Sequence, residues 1–303
     1  MKRGPTTPKG FRDIDPELAK KRRTVINKIA EVLETFGFVP IETPTLEFEE
    51  TLMGKYGDEE KLIYQFTDRG GRKLALRYDL TVPLARFVAN NLGLLKPSFS
   101  RFQVGQVFRG ENPQKGRFRE FTQFDFDTVG STSLEEDAKI ISASITSVRN
   151  LGLNEAKMLI NDRLVFKDLK PEYIRAIDKF YKIGKEGVIT EMIANGADST
   201  WAKNFMSSFD ELQLTPNLKI LFDYLNNIGL AKGKDYDFDP TLARGLDYYT
   251  STIFELKPTG KPDELSIGGG GRYDNLIGVF SGRQIPAVGF SFGLDRLIEF
   301  LNN

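Results

Sequence analysis

Two residue types that carry much of enzyme chemistry are missing. Histidine occurs at none of the 303 positions, which removes histidine general bases, Ser–His pairs and every histidine-ligated metal. Cysteine is absent as well, so disulfides and thiolate metal sites are excluded. No run approaches the roughly 18–20 apolar residues of a membrane span. The opening MKRGPTTPKG lacks the apolar centre of a signal peptide, and the expected location is the cytoplasm. Net charge is lacking too, since 42 basic and 42 acidic residues cancel. A nucleic-acid partner would therefore need a local basic patch, for which residues 20–23 and 115–119 are candidates. The first of these reads equally well as the solvated face of a helix. Any catalysis must run on Arg, Lys, Asp, Glu, Tyr, backbone amides or a bound hard cation.

What is present is concentrated between residues 101 and 130, RFQVGQVFRGENPQKGRFREFTQFDFDTVG. This reads as two strands joined by a charged loop. Gln123, Asp125 and Asp127 alternate with Phe124 and Phe126, and a period of two sends the polar trio to one face and the aromatics to the other. Arg109 ends the first strand, while Arg117 and Arg119 open the second. Guanidinium forks suit phosphate oxygens, and carboxylates suit an ammonium or a ring N–H. The segment describes a site for an anion and a cation side by side.

Around it the elements are mixed. Asp15-Pro16 opens a helix closed by Gly37. Residues 38–43 read as a strand interrupted by Pro40 and closed by Pro44, which suggests a sheet edge or an interface. A hairpin turn sits at residues 68–71, and residues 81–91 turn helical. Ser133-x-x-Glu136 matches a capping box. From about 162 to 235 the pattern is of short helices separated by Gly and Pro breaks. Strands return at 250–257 and 287–292, before a final amphipathic stretch at 294–301. With no regular βαβ alternation, the expected class is α+β, an antiparallel sheet with helices on one face. The glycine run 268–271 is followed by Arg-Tyr-Asp, so it is no Walker loop. Close approach of backbone to a ligand is one reading and a flexible turn the other.

Five segments in order resemble the histidyl-tRNA synthetase family of class II aminoacyl-tRNA synthetases. FGFVPIETPTLE resembles motif 1, VGQVFRGENPQKGRFREFTQFDFD motif 2 and VGFSFGLDRL motif 3, while ARGLDYYTSTIFE and GGGGRYDNLI resemble the histidine-specific signatures. The resemblance implies a class II antiparallel sheet flanked by helices. It divides the chain into a first catalytic part at 1–161, a helical insertion at 162–235 and a second catalytic part at 236–303. It ends where an anticodon-binding domain would normally begin.

The same resemblance assigns roles. Arg109 would hold the ATP α-phosphate, Glu111 and Phe121 would address the adenine, Arg117 would join the ATP site, and Arg296 would take the γ-phosphate. Asp79, Thr81 and Gln123 would bind the histidine ammonium, Asp127 and Tyr249 the imidazole, with Tyr248 and Tyr273 lining the pocket. Arg244 would touch the substrate and stabilise the α-phosphate during attack, making Arg244 and Arg109 the catalytic pair. ATP is implied, with Mg2+ as its counter-ion and no protein metal ligand. The acceptor end of tRNA-His and a homodimer partner are implied as well. A non-catalytic paralogue, the regulatory subunit of ATP phosphoribosyltransferase, is the alternative. Retention of Arg109, Glu111, Arg117, Arg244 and Arg296 together argues for a working ATP site, because a histidine sensor has no need of a transition-state arginine.

Overall fold

A computed structural model describes residues 6–113, 117–243 and 248–302. The chain divides into two compact units, one formed by residues up to Ser131 together with those from Asp274 onward, the other by Thr132–Tyr273.

In the first unit, helix Pro16–Thr35 begins where Asp15 accepts a hydrogen bond from the Leu18 amide at 2.9 Å, with Pro16 in the first turn. Its Val25, Ile29 and Leu33 are buried. Four strands then lie side by side in the order Val39–Pro40, Phe99–Phe108, Glu120–Val129 and Ala287–Gly293. The two long pairings are antiparallel, but Val39–Pro40 runs parallel to its neighbour. The edge strand is only two residues long, as expected where Pro40 cannot donate to a ladder.

The register sorts this sheet by face. Phe102 and Val104 stand opposite Phe126 and Phe124, which stand opposite Phe290 and Phe292. Phe38 packs edge-on against Phe126 with centroids 5.5 Å apart, and Phe290 and Phe292 approach Phe126 at 5.6 and 5.8 Å. Each such burial contributes about 2–3 kcal/mol, so the aromatic face anchors the sheet and leaves the other face for polar side chains. A smaller sheet, in the order Leu46–Phe48, Lys73–Leu76 and Gln65–Thr67, is tied by the hairpin at Asp68, whose carboxylate accepts from the amides of Gly70 and Arg72 at 2.9 Å each. It delivers the chain to Arg77 and helix Thr81–Asn91, which packs on Leu276–Ser281.

The second unit holds the strands Gly268–Arg272, Thr252–Lys257, Lys157–Asp162 and Tyr236–Phe238 in that order, the last pairing parallel. Ser133 caps helix Leu134–Asn150, its hydroxyl accepting from Glu135 N at 3.2 Å. Helices Pro171–Ile177, Phe180–Ala194 and Ser199–Ser208 share a core that includes Tyr173, Ile177, Met192 and Met206. Trp201 stacks on Phe205 at 5.2 Å.

The glycine run is neither turn nor loop. It is a strand paired with Thr252–Lys257, in which a Cβ on Gly271 would lie 2.7 Å from Thr252 O and 2.8 Å from the Tyr249 ring. Glycine is required there because the Thr252 carbonyl and the Tyr249 ring leave no room for a Cβ.

Candidate functional site

The polar face of the first unit is built in three layers across three strands. Arg101, Asp127 and Gly289 form one, Gln103, Asp125 and Ser291 the next, and Gly105, Gln123 and Gly293 the third. The glycines leave room for the side chains beside them: a Cβ on Gly289 would overlap Asp127 Oδ1, and one on Gly105 would overlap the Arg77 guanidinium. Arg101 is fully buried, and its Nη2 sits 2.6 Å from Asp127 Oδ2, at ion-pair distance but outside hydrogen-bond geometry. Breaking such a pair would strand a buried charge. Asp125 is also buried, and burial pushes its carboxyl up to about 7, with Asp127 and Asp79 adding to the rise and Arg101 and a Ser291 hydrogen bond opposing it. Gln123 Nε2 donates to Ser291 Oγ at 2.8 Å.

Asp79 and Thr81 sit beside this face, at the start of helix Thr81–Asn91. Asp79 Oδ1 accepts from the amides of Thr81 and Val82 at 3.1 and 3.0 Å and from the Tyr56 hydroxyl at 3.0 Å. Burial, and then the Asp79 charge, raise Tyr56 well above the ordinary phenol range, so it stays a donor. Three donors on one oxygen hold the carboxylate in a single orientation.

Arg109 follows strand Phe99–Phe108. Its guanidinium lies 4.2 Å from the Tyr78 ring centroid and 5.1 Å from that of Phe121, and Nε donates to Tyr78 O at 3.2 Å. Among the described residues it has no carboxylate partner, so its charge stays available to an anion. Phe121, expected to stack on a base, stands here against Arg109. Glu111 and Arg117 form an ion pair at 3.6 Å, and Arg119 Nε donates to Glu111 O at 2.9 Å. Arg296 is half-buried on helix Leu294–Phe300, whose Asp295 accepts from Arg12, Arg22 and, at 2.8 Å, the Thr122 amide.

The second unit carries an aromatic cluster. Tyr248 lies 5.1 Å from Tyr249 and 5.8 Å from the buried Tyr273, all in edge-to-face contact, an arrangement suited to a flat apolar ring with a polar edge. Arg244 lies outside the described residues. The first unit therefore brings together Asp79, Thr81, Gln123 and Asp127, and groups Arg109, Glu111, Arg117 and Phe121 near the motif 2 loop, while the tyrosines form a cluster of their own.

Residue-by-residue reading missed Arg101, Ser291 and the glycine neighbours. Period-two counting along strand Ala287–Gly293 puts Ser291 between Phe290 and Phe292 on the polar face, but its partner emerges only from the register. In the sequence Arg272 is marked only as the residue that follows the glycines. It is buried on Asp137 and donates to Ser133 O at 3.0 Å.

Comparison with known proteins bears on the family and the fold. The family model described as histidyl-tRNA synthetase matches residues 10–213 and 198–297. A histidine–tRNA ligase of Aeropyrum pernix is 43% identical over 97% of this chain and 74% of its own length. The crystal structure of histidyl-tRNA synthetase from Nostoc sp. PCC 7120 superposes with a TM-score of 0.86 at 30% identity, covering 99% of this chain and 76% of that one. The crystal structure of an ATP phosphoribosyltransferase regulatory subunit/histidyl-tRNA synthetase from Bacillus halodurans gives a TM-score of 0.80 at 26% identity, covering 98% of this chain and 83% of that one.

Proposed function

This chain belongs to the histidyl-tRNA synthetase family, and from that premise we propose that it activates histidine with ATP and passes the histidyl group to the acceptor end of tRNA-His. A carboxylate oxygen of histidine attacks the α-phosphorus, the bond from that phosphorus to the bridging oxygen breaks, and pyrophosphate leaves with the electron pair. No protein base is needed, because the nucleophile is already ionised. The protein must supply alignment and positive charge, which suits a chain without histidine.

The carrying observation is Arg109, held between two aromatic rings with no carboxylate partner among the described residues, on the same sheet as the Gln123–Asp127 polar layers. Arg109 and Arg244 would bear on the α-phosphate and Arg296 on the γ-phosphate. Glu111, Arg117 and Phe121 would surround the base and phosphates, the Glu111–Arg117 pair and the Phe121–Arg109 contact giving way as nucleotide enters. Asp79, Thr81 and Gln123 would accept the ammonium, Asp127 the imidazole N–H, and Tyr248, Tyr249 and Tyr273 would wall the ring. A carboxylate aimed at an imidazole N–H rejects isosteric apolar side chains far better than an apolar pocket can.

Among the described residues no group of three carboxylates could hold a metal ion. Mg2+ is assigned to the nucleotide phosphates, and no step is routed through it. Residues 162–235 would be an insertion between the catalytic parts 1–161 and 236–303. A homodimer in the cytoplasm completes the reading.

The test is ATP–pyrophosphate exchange with each amino acid in turn. Exchange with histidine alone is the expected result. Histidine binding without exchange would transfer the reading to the regulatory-subunit paralogue, the alternative that the Bacillus halodurans protein's name also carries.

A further inference from the structure

Two residues of the polar face have no task in this mechanism. Asp125 is 2% exposed, and Ser291 stands directly opposite it in the ladder. Ser291 Oγ receives Gln123 Nε2 at 2.8 Å, and the acceptor directly across the ladder for its own proton is the Asp125 carboxylate, whose buried Oδ1 has no hydrogen-bond partner among the described residues. Gln123 Oε1 is buried and has no hydrogen-bond partner among the described residues. A buried amide oxygen left open on this polar face is an acceptor waiting for a donor.

A hydroxyl has one proton to give. When it goes to Asp125, the lone pairs of Ser291 can only receive, so the amide edge that meets Ser291 must be N–H. Reversing the amide would set its carbonyl against an oxygen with no proton to offer. We propose that Asp125 and Ser291 form a hydrogen-bond relay that orders the Gln123 amide, so that Oε1 faces the substrate and accepts from its α-ammonium. Both are positioning residues that touch no substrate. The inference rests on the reading of Gln123 as an ammonium acceptor given above.

The relay requires Asp125 as an acceptor. The charged groups that act on it are Arg101 from the neighbouring strand, Asp127 from its own, and Arg77 and Asp79 from the segment before helix Thr81–Asn91. Protonated Asp125 would donate to Ser291, Ser291 would donate to Oε1, and the amide would turn its N–H groups toward the ammonium. Histidine recognition should weaken as pH falls through about 7, where burial places this carboxyl.

The test uses histidine-dependent ATP–pyrophosphate exchange, with 3-(imidazol-4-yl)propionate, which lacks the amino group, as competitive inhibitor. Ser291→Ala should raise KM for histidine about tenfold or more, the usual consequence of orphaning one buried partner. KM for ATP and Ki for the propionate should stay in place, because neither involves an ammonium. Ser291→Thr keeps the hydroxyl and should restore KM. Asp125→Asn, an isostere, should raise KM at pH 8 and abolish the extra loss seen in the parent below pH 7. The substrate's own titration is common to both proteins and cancels in their ratio. Unchanged KM in Ser291→Ala, or KM and Ki rising together, would overturn the relay while leaving the adenylation reading intact. A parent protein that shows no exchange with histidine would instead overturn the site reading and the relay with it.

Discussion

Arg109 illustrates how a single side chain is prepared for an anion. Cation–π contact with Tyr78 and Phe121 and one bond to a backbone carbonyl hold the guanidinium without neutralising it. Arg109→Ala is expected to slow exchange by about 10²–10³-fold, the range for losing one preorganised electrostatic donor, with histidine affinity retained in equilibrium binding. A loss of less than threefold would remove it from the phosphate site. Asp125 poses the opposite case, a charge that folding disfavours. Its carboxyl is raised to about 7, chiefly by burial, against about 3.9 in an unfolded chain. The ionised form therefore destabilises the fold above pH 7, and the cost disappears as pH falls from 7 toward 4. Asp125→Asn should melt above the parent at pH 8 and lose that advantage by pH 5; an equal offset at both values would mean that the carboxyl is ionised throughout.

At the scale of elements, the two strands of residues 99–129 were legible because period-two alternation of Phe with Gln and Asp admits one arrangement over a buried aromatic face. The first helix was legible from Asp15, Pro16 and Gly37. The glycine strand was not. Gly268–Arg272 carries no side-chain pattern along its glycines, and glycine runs signal turns, so nothing local marks it as sheet. It is defined by what lies against it, the Tyr249 ring and the carbonyl of Thr252. Gly271→Ala tests this. A methyl 2.7 Å from a backbone oxygen cannot be absorbed by a flexible neighbour, and overpacking of this kind costs about 1–3 kcal/mol. Thermal unfolding should fall accordingly and KM for histidine should rise as Tyr249 is displaced. A variant with parental stability and KM would show that the ring has room to retreat.

For the whole molecule, an interface is the open question that composition frames. Formal charge is zero, so self-association meets little long-range repulsion. The edge strand and the small sheet expose apolar side chains, Val39 at 47% and Phe48 at 51% among them, more than a solvated edge needs. Sedimentation equilibrium should give twice the 34.2 kDa chain mass, and Phe48→Glu should shift the protein toward monomer. A parent that remains monomeric at tens of micromolar would exclude the dimer.

The sequence by itself determined the chemistry on offer and the family. Without histidine or cysteine only arginine, carboxylate, tyrosine and amide groups remain, and their order along motifs 1 to 3 is a local property of the chain. The tertiary structure alone decided which of those groups meet. Arg101 faces Asp127 across the hairpin of consecutive strands, while Ser291 faces Asp125 and Gly289 makes way for Asp127 because strands separated by more than 150 residues share one register. Register depends on the burial of a common aromatic face, a sum over many residues that no single segment contains. Which atom of Gln123 is left for a ligand is decided one step later still, by where one hydroxyl proton goes.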